Sequence, residues 1–131
     1  MTDWTETEVT TKVSPWPVAD TVARLTGILS AKGMKVFALI DQSDEARSAG
    51  LKLRDTTLVV FGNPAAGTPV MDAEPLSALD LPLKVLIWAD GDRTNVSYYA
   101  PAALAARYGL SDELAAKLAG IDPLTDALIA G

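Results

Sequence analysis

Neither cysteine nor histidine occurs in these 131 residues. The first absence excludes a disulfide scaffold, a thiolate nucleophile and any cysteine-held zinc or iron–sulfur centre. The second removes the usual base near neutral pH and the commonest metal ligand. A serine–histidine–aspartate triad cannot be assembled from this chain. Imidazole and thiolate are the ligands that hold zinc, copper and iron firmly, so no metal and no cofactor is expected.

Basic clusters are missing as well. Eleven Lys and Arg are scattered singly against seventeen Asp and Glu, for a net charge of −6. A phosphate backbone would be repelled, so no nucleic acid is expected as a partner. No apolar run approaches the roughly 18 residues that a membrane span needs. The opening MTDWTETEVT has neither the basic nor the apolar region of a secretory signal, and the expectation is a cytoplasmic protein without membrane contact. Without secretion, the glycosylation sequon at Asn95-Val96-Ser97 is a chance match.

What is present suits one domain over residues 1–131. Apolar residues make up 49% and charged residues 21%, a mixture that can offset the ordering entropy of a folded chain. Residues 5–13, rich in threonine and valine, read as a polar edge strand that Ser14-Pro15-Trp16-Pro17 stops. Pro17 suits a first helical position, and Val18, Val22, Leu25 and Leu29 form one helix face up to Gly33. Lys35–Ile40 is a strand, and a short helix follows that Gly50 closes. Residues 56–61 form the next strand.

Gly62–Gly67 reads as a loop, with Thr68-Pro69 as the cap and first residue of one or two helical turns over 69–80. Leu83–Ala89 is the strongest strand signal, and Asp90-Gly91-Asp92-Arg93 turns it back into Asn95–Tyr99. Helices then open at Pro101, at Ser111 and at Asp122-Pro123. The hairpin makes at least one strand pair antiparallel, which gives an α+β sheet with helices packed on one face.

Four segments carry a likeness to a known family: TVARLTGILSAKGMKVFALID (21–41), EARSAGLKLRDTTLVVFGNP (45–64), LPLKVLIWAD (81–90) and SYYAPAALAARYGL (97–110). With Phe61-Gly62-Asn63-Pro64, Gly67-Thr68 and Leu81-Pro82-Leu83, the chain resembles the domain-of-unknown-function 302 family over about 14–130. The resemblance implies an antiparallel sheet of four or five strands, similar in outline to TATA-binding-protein-like folds, and a homodimer. It implies no activity. Members often carry histidine after the Ile-Asp that ends the second strand; Gln42 stands there in this chain, so no imidazole can act at that position.

Candidate site residues fall in three places. Gly62, Asn63, Pro64, Gly67 and Thr68 have the Gly-x-x-x-x-Gly spacing of a phosphate loop without its lysine, so nucleotide hydrolysis is not supported. Free N–H groups there could still hold an anion, or the segment is a structural turn. Asp41 and Gln42 begin an acidic run with Asp44 and Glu45 that could bind a hard cation, although Ser43 or Asp44 capping the next helix explains it better. Tyr98 and Tyr99 point to opposite faces of their strand, one inward and one outward; the outward ring could line a pocket or interface, although cross-strand packing explains it better. Arg47, Arg54, Arg93 and Arg107 read as solvated surface. Three functions compete: a non-catalytic, homodimeric small-ligand or protein-binding module; an enzyme with an Asp or Glu acid/base; and a structural interaction protein. A deep pocket with a buried carboxylate would mark the second, and a large flat apolar patch without a pocket the third.

Overall fold

A computed structural model describes residues 8–130. Five strands form one antiparallel sheet: β1 (Val9–Ser14), β2 (Lys35–Asp41), β3 (Thr56–Gly62), β4 (Leu83–Asp90) and β5 (Arg93–Tyr99), in the order β1-β5-β4-β3-β2. The polar first strand is an edge, as its composition predicts; positions 5–7 of that expectation lie outside the described residues. Gly91 has φ 61 and Asp92 is not left-handed, the sign pattern of a two-residue type II′ hairpin between β4 and β5.

Alternation decides which side is buried. Val59 and Phe61 of β3, Val85 and Ile87 of β4, and Val96 and Tyr98 of β5 share one face. Helix α1 (Val18–Ala31) lays Val18, Leu25 and Leu29 on it, and α6 (Ile121–Ile129) adds Ile121, Leu124 and Leu128. Fully burying one such side chain stabilises the fold by about 1.5–3 kcal/mol. Lys12 of β1 ties α6 down: its Nζ donates to Thr125 Oγ1 at 2.7 Å and pairs with Asp126 at 2.8 Å. Tyr98 donates its hydroxyl proton to Asp122 on the same helix at 2.5 Å.

The opposite face is different. Leu58, Leu86 and Trp88 belong to neither apolar cluster and stay half-exposed. The C-terminal helix packs beside α1 instead of crossing that second face.

A second, smaller cluster sits at one end of the sheet. Val70 of α3 (Pro64–Ala73), Leu81, Leu104 of α4 (Pro101–Tyr108) and Leu118, just after α5 (Asp112–Ala116), close on each other there. A 3-10 turn, Pro75–Leu79, links α3 to β4. Asp80 accepts from Arg107 at 2.8 Å and from the Tyr108 hydroxyl, so the turn is pinned to α4.

Several boundaries differ from the sequence expectation. Pro17 is the N-cap of α1 and helical geometry begins at Val18. The cap of α2 (Gln42–Ser48) is Asp41, which accepts from Asp44 N at 2.9 Å, because Ser43 is turned inward to donate to Asp41 Oδ1 and accept from Thr56 N. The last helix starts at Ile121, one residue before Asp122-Pro123. The segment after Gly62 is helical from Pro64, so Gly67, Thr68 and Pro69 lie inside α3. The cap-and-proline signal was right in kind but belongs to Asn63-Pro64, five residues earlier than Thr68-Pro69.

The Asp80 cluster makes stability depend on acid. Burial opposes its charge, but the bonds from Tyr108 and Arg107 outweigh burial and hold the carboxyl below its ordinary value of 3.8. A depressed carboxyl stabilises the fold above its unfolded pKa and loses that contribution as pH falls through the folded one. Asp80→Asn should therefore lower unfolding free energy by about 1.5–3 kcal/mol at pH 7. The deficit should shrink below pH 3.8 in denaturant melts across pH, and a deficit constant down to pH 2 would contradict this account.

Candidate functional site

Where β2, β3 and β4 reach the sheet end marked by Lys35, Gly62 and Leu83, the chain leaves a cavity of about 320 Å³. That volume falls in the range of small-molecule pockets. Five of the residues singled out in the sequence line it: Gly62, Asn63, Pro64, Gly67 and Thr68. They do so as the end of β3 and the first turn of α3, with Met71 one turn further along the same helix.

The facing wall comes from elsewhere. A register shift between Val36 and Ala38 leaves Phe37 as the extra residue of β2, and its ring lies in the cavity wall, 44% exposed. Met34 enters from the turn before β2, and Leu81, Pro82 and Leu83 from the approach to β4. Leu118 and Lys117 close the side nearest the C-terminal helices. The lining is largely apolar, and among the described residues no Asp or Glu contributes to it.

An anion-holding backbone nest at this turn is not what forms. Asn63 Oδ1 accepts from Ala65 N at 2.9 Å, and Asn63 O accepts from both Ala66 N and Gly67 N at 2.9 Å. Pro64 has no N–H to offer. These donors serve the helix cap, so any charge recognition in the cavity must come from side chains.

The other sequence candidates lie apart. Asp41 pairs with Thr57 while Lys35 pairs with Gly62, so Asp41 and Gln42 stand a strand length, roughly 20 Å, from the cavity. The Asp41 carboxyl is held below its ordinary range mainly by the Ser43 hydroxyl and the Asp44 N–H, which fits a helix cap. Among the described residues, no group of three or more carboxylates could hold a metal ion. Tyr98 turns to the covered face and is 4% exposed; Tyr99 turns to the open face, with Arg107 5.3 Å from its ring centre. Sequence reasoning missed Met34, Phe37, Met71, Leu81, Leu118 and Lys117.

This arrangement defines an α+β domain with one face of its sheet covered and an apolar, small-molecule-sized cavity at the sheet end. The chain belongs to the DUF302 family, described as a domain of unknown function, whose model matches residues 9–128. A crystal structure of an uncharacterized conserved DUF302 protein from Bacillus stearothermophilus superimposes with a TM-score of 0.77 at 19% identity, covering 92% of this chain and 94% of that one. The likeness establishes the fold. In sequence, the chain is 40% identical over 103 residues to a protein of Brucella suis biovar 1 (strain 1330) named fluoride-specific ion channel FluC 1, covering 76% of this chain and 41% of that protein. The corresponding Brucella abortus protein gives the same identity over 38% of its length. The chain thus spans about two fifths of the curated relatives it matches. No described helix is long and apolar enough to cross a membrane.

Asn63 links the cavity to stability. Its side chain is exposed and caps α3, so Asn63→Ala should cost about 1 kcal/mol in a denaturant melt, with the fold otherwise kept. A loss below about 0.3 kcal/mol would show that the cap does not hold the first turn.

Proposed function

We propose that this domain is a small-ligand-binding module that works as a homodimer. The observation that carries the binding reading is the 320 Å³ apolar cavity built around the first turn of α3. Among the described residues no carboxylate lines it, which favours binding over catalysis by an Asp or Glu acid/base, since such a group must lie within reach of the ligand. The homodimer reading rests on the open sheet face. Leu58, Leu86 and Ser97 form one cross-strand row there and, with Val9 and Tyr99, border a shallow hollow. Apolar surface of that kind on a small domain is most often covered by a symmetric copy. Light scattering behind size exclusion should give about twice the 13.8 kDa chain mass, and Leu86→Glu should return the chain to monomer. Native mass spectrometry of the protein from its own cells should show a retained small molecule. A monomer across the micromolar range would remove the dimer reading, and ligand-free spectra from native cells would weaken the binding one.

The relatives support a second reading, in which the domain works beside a membrane channel. The matched segment is about two fifths of proteins named fluoride-specific ion channels, and this reading assigns the pore to the rest of those proteins. The chain, co-expressed with the remaining segment of the Brucella suis relative, should then co-elute with it in detergent. Separate elution at every ratio tested would overturn this reading.

A further inference from the structure

The cavity does not end at Lys117. A second hollow of about 280 Å³ adjoins it, sharing Met34, Leu83, Lys117 and Leu118 and adding Lys32 from the end of α1. Together they form one groove with an apolar floor. Its charge is unlike that of the chain. Acidic residues outnumber basic ones seventeen to eleven, yet among the described residues no Asp or Glu stands in the wall of either hollow. The charged residues lining the groove are Lys117 and Lys32, and among the described residues neither makes an ion pair.

From this we infer that the groove takes an amphipathic carboxylate, with its apolar tail among Met34, Met71 and Leu118 and its anionic head at Lys117 and Lys32. The inference rests on the small-ligand reading and names the class of ligand. Three features carry it. Methionine walls are flexible and polarisable and accept tails of differing shape. The helix-cap amides are already bonded, which leaves the lysines as the cationic donors for an anionic head. Among the described residues, two lysines and no carboxylate border the apolar groove, an arrangement that suits anions carrying an apolar body.

The probes are decanoate, octanoate and decanol, each below its aggregation concentration, titrated calorimetrically into the full chain. Decanoate should bind, and octanoate should bind about sixteenfold more weakly, at about fourfold per methylene. Lys117→Gln should weaken decanoate about tenfold and leave decanol unchanged, while Lys117→Arg should retain decanoate. Gly67→Leu should abolish binding while the melt stays intact or improves, since a Cβ at Gly67 meets only Met71 Cε at 3.8 Å. Equal binding of decanol and decanoate would overturn the anion preference and leave the cavity as an apolar site. No binding of either, with an intact melt, would count against the small-ligand reading itself. The same carboxylate chemistry occurs at anionic bilayer surfaces. Pelleting with phosphatidylserine vesicles that Lys117→Gln abolishes, without decanoate binding, would assign the groove to a membrane surface and overturn the inference.

Discussion

Strand β3 is the constraint on which the rest of the molecule depends. Thr57, Val59 and Phe61 are buried beneath the helices, while Leu58 and Val60 face the other way. A slip of one residue would turn Phe61 out and bring Leu58 in, so the buried face admits only one register. That register places Gly62 at the end of the sheet. There the chain must turn, and Asn63 caps the helix that begins with Pro64. The cavity is the space left between that turn and the bulged strand beside it. Its floor is therefore as firmly placed as the core, because Phe61 and Leu83 stand at the paired ends of β3 and β4.

Two kinds of apolar surface follow from covering one face only. The open face is broad and strand-built, with Trp88 donating to Ser97 at 3.0 Å and Ser97 bonded to Thr11 at 2.8 Å across three strands. Those bonds tie the polar atoms of Trp88, Ser97 and Thr11 to one another and leave Leu58 and Leu86 as hydrocarbon beside them. The cavity is concave and helix-walled, and its charge comes from lysine. A flat face suits a protein surface and a concave one a small molecule.

Most of the fold was legible because its signals are local and periodic. Val18, Leu25 and Leu29 mark the buried side of α1 by spacing alone, and the hairpin at Gly91 follows from turn chemistry. The start of α3 was misplaced because two cap-and-proline pairs lie five residues apart, Asn63-Pro64 and Thr68-Pro69, and both fit the same rule. Proline inside a helix is unfavourable enough that the second pair looked like the start. The helix continues through Pro69 because Val70, directly after it, is fully buried in the smaller cluster. Gly62, Asn63, Pro64, Gly67 and Thr68, singled out by composition, line the cavity, but the residues that face them there were not legible. Phe37 reaches the cavity through a bulge, and Lys117 through helix packing some fifty residues further on, and neither relation leaves a periodic trace.

Pro69 gives α3 an uneven stiffness. A proline nitrogen cannot donate, so the bond that would run from position 69 to the Ala65 carbonyl does not exist. The turn from Pro64 to Thr68 is joined to the rest of the helix by one link fewer than an unbroken helix would have. Beyond the break, Val70 is locked in the core; before it, Asn63, Pro64 and Thr68 face solvent. The cavity thus has one rigid wall, made of sheet, and one compliant wall, made of a single helical turn. Its width is governed by the weaker of the two.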